Sequence, residues 1–116
     1  MNELVKKLSE RDHPVTVGGP QPTLEELKRR VTDMGYVFVK FTETKGGTDL
    51  GFHVDRAATR VDEADFDQGT GTVHVEGDLK LDYVPVRVVA DIDLATLNGT
   101  GRLVIRQEEE AASTSS

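Results

Sequence analysis

Three titratable side chains fall on neighbouring strands of the predicted sheet and offer acid–base chemistry. His74, Asp91 and Arg106 come side by side on one face when the strands are paired around the turns described below. A carboxylate between an imidazole and a guanidinium could hold the imidazole in one tautomer, as general acid–base catalysis requires. The sequence places no nucleophilic side chain beside them, and an open sheet face does not exclude water. The pattern therefore favours a cross-strand charge row over a catalytic site.

An acidic segment has part of the spacing of a calcium-binding loop. If Asp65 is the first ligand, Asp67 is the third and Glu76 the twelfth, where a bidentate carboxylate is expected. Gly69 and Thr70 stand where a further ligand and the turn glycine belong, and no flanking helices are evident. The three histidines of the chain have none of the close spacings of zinc sites. We therefore predict a solvated acidic loop, with no metal and no cofactor.

The composition excludes several classes of function. The chain has 116 residues, enough for one domain, and a net charge of −7, which argues against a nucleic-acid partner because phosphates would be repelled. It has no cysteine, so disulfides and thiolate chemistry are excluded. No run of about eighteen apolar residues predicts a membrane span, and the first residues are too polar for a signal peptide. We expect a cytoplasmic protein.

The clearest local pattern predicts a helix over residues 23–34. Thr23 and Glu26 have the spacing of a capping box, in which each side chain satisfies an amide at the helix start. Gly35 stands where a left-handed residue ends a helix. The apolar residues follow at helical spacing, and they are Leu24, Leu27, Val31 and Met34.

The two ends of the chain are predicted to lie outside the domain. Residues 2–11 predict a short helix that needs a surface to dock on, and repeated proline and glycine up to Pro22 predict a linker. The predicted organisation is a short helix and linker over residues 1–22, a single domain over residues 23–107, and a disordered acidic and polar tail over residues 108–116.

From Tyr36 onward the apolar period changes to two, which predicts antiparallel strands. If Gly46 and Gly47 form a two-residue turn, Phe41 faces Phe52 across the first hairpin. The predicted strands cover about residues 36–44, 48–54, 72–82, 85–95 and 100–107.

Two further turns set the registers of the remaining strands. A tight turn near residues 82–83 places His74 opposite Asp91, although its residue pair is not a strong turn former. Asn-Gly at residues 98–99 is the preferred pair for a type I′ turn and places Asp91 opposite Arg106. These registers produce the charge row described first.

The elements together predict an α+β fold, in which one main helix packs on a curved antiparallel sheet of about five strands. Five strands at a spacing of about 4.8 Å make a face roughly 20–25 Å wide. One helix of about 10 Å diameter cannot cover that face. The remainder must be covered by the N-terminal segment, by curling of the sheet, by a second subunit or by a ligand.

The incompletely covered face leads to two hypotheses of different classes. The first is a small, acidic, non-catalytic accessory protein that binds a protein partner or itself as a dimer. The alternative is a small-molecule-binding protein or cofactor-free enzyme, with an apolar cavity between helix and sheet and Glu43 as its inward polar group. The sequence leaves catalysis open and favours its absence. The predicted contact residues are Leu4, Val5, Leu8, Phe38, Val89 and Val104.

Overall fold

The computed structural model describes residues 3–19, 23–44, 46–81 and 83–105. Within these residues the backbone forms two short helices, a π-helical turn and seven strands. Neither of these helices is long and apolar enough to cross a membrane. The elements are α1 (Glu3–Ser9), β1 (His13–Val17), α2 (Leu24–Arg29) with a π-helical turn at Arg30–Met34, β2 (Tyr36–Phe41), β3 (Thr48–Val54), β4 (Ala64–Asp65), β5 (Thr70–Leu81), β6 (Val84–Asp93) and β7 (Asn98–Ile105).

The strands form an antiparallel sheet that closes on itself. The strand order is β3-β2-β1-β7-β6-β5-β4, and β3 also pairs with β5. This additional pairing joins His53 to Asp78 and Val54 to Gly77. Six strands therefore make a closed barrel. The short β4 pairs with the first two residues of β5.

The predicted α+β fold is wrong. Strands account for 52% of the structure, which is a barrel-like β fold, and no main helix covers a sheet. Closure brings the apolar faces of opposite strands together, so the sheet covers its own face without a helix layer. Glu43, expected to be the inward polar group of a cavity between helix and sheet, lies in the β2–β3 loop with its side chain 47% exposed.

The barrel core is built from the alternating residues of the strands. Val5 and Leu8 of α1, Leu27 of α2 and Val31 of the π-helical turn join the same buried cluster. The two short helices are therefore held by tertiary packing, since helices of this length are marginal alone. The largest buried side chains of the strands are Phe41, Phe52, Ile92 and Leu103.

Strand β1 lies within the segment predicted to be a linker. Val15 faces Phe41 of β2 on one side and Gly99 of β7 on the other, so β1 is a central strand. Pro14 obscured the pattern because it removes one backbone donor, yet its side chain is exposed and the strand tolerates it. A five-residue strand that contains a proline and is followed directly by two glycines gives too short an alternation to be recognised.

The helix predicted over residues 23–34 is present. The Thr23 hydroxyl accepts a hydrogen bond from the Glu26 amide at 3.2 Å, and Gly35 is left-handed with φ 68°. The last five residues are π-helical, closed by the Gly35 amide donating to the Arg30 carbonyl at 2.8 Å. Met34, predicted to lie on the apolar side, is 48% exposed.

The β5–β6 register is as predicted, with His74 opposite Asp91, whereas the predicted β6–β7 register is wrong. Asp91 faces Thr100 of β7 and not Arg106. The turn lies before Asn98, which is already in the strand, because Leu97 adopts the left-handed conformation with φ 63°.

The β2–β3 register also differs from the prediction. Phe41 faces Thr48 in place of Phe52, and Phe52 faces Val37. The loop is longer than two residues, with the Gly47 amide donating to the Thr44 carbonyl at 2.9 Å. The shift is an even number of residues, so the same side chains still point into the barrel.

Candidate functional site

The outer face of β5 and β6 carries a connected set of charged side chains. His74 lies between two carboxylates, with Nδ1 2.8 Å from Asp91 Oδ1 and Nε2 2.7 Å from Glu76 Oε2. An ionised carboxylate only accepts hydrogen bonds, so both imidazole nitrogens must be protonated to satisfy both partners. The geometry therefore favours the charged form of His74.

Arg87 extends this cluster along the same face. Its guanidinium donates to Asp55 Oδ2 at 2.9 Å and to Glu76 Oε1 at 3.1 Å, and its Nε lies 3.2 Å from Asp78 Oδ1. Glu76 thus joins the two cations, with one carboxylate oxygen on each. We call His74, Glu76, Arg87, Asp91, Asp55 and Asp78 the charged row.

The charges of the row shift one another's pKa values. Burial by itself lowers the pKa of His74, but the hydrogen bonds and charges of Glu76 and Asp91 outweigh it, and the net effect raises that pKa. The hydrogen bond from Arg87 lowers the pKa of Asp55 despite partial desolvation. Both shifts favour the charged forms, which is what an ion-pair network requires.

The segment between β3 and β4 lies along β5 and borders the charged row. The Asp55 amide donates to the Glu76 carbonyl at 2.7 Å, and Arg60 exchanges backbone hydrogen bonds with His74 at 2.8 and 3.0 Å. A cavity of about 200 Å³ opens there, lined by Arg60, Asp62, Glu63, Thr72, His74 and Asp91. The row therefore ties the segment, β5 and β6 together.

The structure brings together two of the three residues proposed for acid–base chemistry. His74 and Asp91 are in contact, whereas Arg106 lies outside the described residues. Arg87 takes the place of the predicted cation, but it binds the far side of Glu76 and not Asp91. The predicted register that places His74 opposite Asp91 also places Arg87 opposite Asp78, as the structure has it, so that part of the row was accessible from sequence.

The three carboxylates considered for calcium lie in separate environments. Asp65 Oδ1 accepts hydrogen bonds from the Asp67 and Gln68 amides at 3.1 and 3.0 Å, which closes a local turn. Asp67 lies 3.6 Å from Lys28 Nζ, and Glu76 belongs to the charged row. Across the described residues, no group of three or more His, Cys, Asp or Glu side chains is placed to hold a metal ion.

The predicted contact residues of the N-terminal helix pack into the protein. Val5 and Leu8 have no exposed surface, and Leu4 is partly buried against the same core. In this structure these side chains contribute to the barrel and leave little surface for a partner.

The other predicted contact residues lie in two places. Phe38 on β2 packs edge-on against Tyr36 and beneath the Arg30 guanidinium, which lies 4.9 Å from the ring centre. Val89 is half-buried on β6, and Val104, on the neighbouring β7, is 40% exposed. β1 and β7 separate β2 from β6, so these residues do not form one apolar patch.

A more exposed apolar residue was missed as a candidate. Tyr83, at the turn between β5 and β6, is 96% exposed, the highest value among the exposed large apolar side chains. The sequence marked this position only as part of an uncertain turn. An aromatic residue in a hairpin turn that gains nothing from the core is a signal that could have been used.

The charged row predicts a specific dependence of stability on pH. The raised pKa of His74 means that its contribution is complete below the ordinary value of 6.5 and is lost as pH rises through the raised value. We therefore expect the unfolding free energy of the wild-type chain to fall relative to that of His74→Gln as the pH rises above 6.5. Urea denaturation at a series of pH values measures this difference. His53→Gln, at an exposed histidine, is the control, and a difference independent of pH would contradict the prediction.

Comparison with known protein families gives a match that covers nearly the whole chain. A protein-family model described as core binding factor beta subunit matches residues 2–116. No curated protein sequence matches the chain.

Proposed function

Because the chain belongs to the core binding factor beta subunit family, we propose that it acts as a non-catalytic subunit that binds a protein partner. Members of this family are accessory protein-binding subunits that partner with RUNX transcription factors. The family match over residues 2–116 is the observation that carries the proposal. We propose a RUNX-type transcription factor as the partner of this chain.

The geometry of the barrel is compatible with a binding role. Its interior is filled by packed side chains, so the surfaces that the fold offers to a partner are strand faces, loops and hairpin ends. The His74 imidazole and the Arg87 guanidinium are each paired with carboxylates of the charged row, which fits a structural role for both side chains. A closed barrel also holds its surface side chains in fixed positions, and such preorganisation lowers the cost of binding.

Calorimetric titration of the purified chain with a purified RUNX transcription factor tests the proposal. We expect saturable binding with one chain per partner and a dissociation constant in the micromolar range or tighter. Sedimentation of the chain alone, at the same concentrations, separates partner binding from self-association. Absence of binding well above micromolar concentrations would overturn the proposal.

A further inference from the structure

The β5–β6 hairpin extends beyond the strands that flank it. β3 pairs with β5 no further than Asp78, and the described part of β7 pairs with β6 no further than Val86. Beyond these points the two strands continue to pair with each other, ending with Leu81 opposite Val84. We call residues 79–81 and 83–85 the hairpin arm. Within the described part of the chain, the arm has strand partners only in itself.

Tyr83, at the end of the arm, has an exposed side chain and an unfavourable backbone conformation. Its side chain is 96% exposed, so the ring gains no burial. Its backbone has φ 68°, a left-handed conformation that glycine or asparagine adopts at lower cost than a bulky residue. A residue that is strained locally and contributes nothing to the core is a candidate for function, because folding alone does not explain it.

The other residues of the hairpin arm hold Tyr83 in place by packing against the barrel. Leu79, Leu81 and Val84 are partly buried and pack against the barrel core. The ring of Tyr83 is therefore presented at the end of an anchored hairpin and not on a free loop. Exposed tyrosines are well suited to protein contacts because they bury a large ring and lose little side-chain entropy.

We propose that Tyr83 is the anchor by which this chain binds its protein partner, inserting into an apolar pocket set in a basic surface. This inference rests on the proposed function and names the contact. The pocket must be concave and apolar to receive the ring and must offer a hydrogen-bond acceptor to the hydroxyl. The net charge of −7 attracts a basic partner and makes two copies of this chain repel each other. A DNA-binding transcription factor carries the required positive charge.

The test compares Tyr83→Asn with the wild-type chain in calorimetric titration against a purified RUNX transcription factor. Asparagine tolerates the left-handed backbone, so the variant keeps the turn and loses the ring. We expect at least about tenfold weaker binding, with a thermal midpoint no lower than that of the wild type. Tyr83→Phe keeps the ring and loses only the hydrogen bond of the hydroxyl, so we expect a smaller loss of affinity than in Tyr83→Asn. Val61→Asn, at an exposed apolar residue outside the arm, is the matched control and leaves the affinity unchanged.

The titration distinguishes a wrong anchor residue from a wrong proposed function. Wild-type affinity in Tyr83→Asn would overturn the anchor and leave the proposed function intact. Failure of the wild-type chain itself to bind would overturn both. A second copy as the occupant is tested by sedimentation, because a wild-type dimer that Tyr83→Asn converts to a monomer would overturn the assignment to a different protein.

Discussion

Replacing Arg87 with methionine is expected to lower the unfolding free energy by about 2 kcal/mol at neutral pH. The side chain is 22% exposed and supplies charged hydrogen bonds to Asp55 and Glu76 and an ion pair to Asp78. Methionine retains the volume along the strand but removes the cation that Asp55, Glu76 and Asp78 share, and leaves His74 as the cation beside Glu76. Three like charges around a half-buried position cost more than one lost surface ion pair, so the effect is large for a residue outside the core.

The dependence of this loss on pH and salt identifies its origin. Arg87 lowers the pKa of Asp55, so its stabilising effect is present above the ordinary value of 3.8 and is lost as pH falls through the lowered value. The difference between wild type and Arg87→Met should therefore narrow in acid. High salt should narrow it only in part, because the cluster is partly buried.

Arg102→Met provides a matched control on the neighbouring strand. Arg102 is 51% exposed, and its ion pair with Asp12 is long at 3.9 Å. Exposed pairs of this kind contribute little, so we expect a change below about 0.5 kcal/mol. Equal losses in the two variants, measured by urea denaturation at pH 7, would show that the charged row carries no special stability.

Local patterns in the sequence predicted the parts of the fold that depend on local interactions. Thr23 caps α2 as expected, because a capping box involves residues only three apart. The β5–β6 register was correct because the long alternation permits few pairings, and it placed His74 opposite Asp91. The contacts of the charged row between β5 and β6 could therefore be predicted from the sequence.

The predicted β6–β7 register was wrong because a second turn-forming sequence lies just before the predicted turn. Asn98 and Gly99 suit a type I′ turn, but the chain turns earlier. The Leu97 amide donates to the Asp93 carbonyl at 2.7 Å, and the Ala95 amide donates to Asp93 Oδ1 at 2.9 Å. Gly99 is needed in the strand itself, because a Cβ there would overlap the Asp91 carbonyl. The side-chain turn at Asp93 thus displaced the register on which the Arg106 prediction depended.

Gly77 is the residue of β5 whose type fits closure of the sheet. The alternation of β5 places residue 77 on the inner face between Val75 and Leu79, where a large apolar residue is expected. Glycine inside a strand often marks the close approach of another backbone. Here the Phe52 ring and the His53 carbonyl of β3 occupy the space beside it, at the pairing that completes the barrel. The missing side chain is therefore a sequence feature that fits the close approach of β3 to β5.

Gly77→Ala should consequently destabilise the protein by about 3 kcal/mol, although alanine suits a strand interior better than glycine. The added methyl group would overlap the backbone of His53 and the ring of Phe52, which is 1% exposed and has little room to move. Gly18→Ala is the control, because the nearest atoms to its methyl group belong to the carboxylate of the exposed Asp49 side chain, which can move, and it should cost less than about 1 kcal/mol. Hydrogen exchange adds a local measurement, since the Asp55 amide bonded to Glu76 should exchange faster when the β3–β5 pairing opens. Equal stability of the two variants, with unchanged protection at Asp55, would mean that this pairing does not hold the barrel closed.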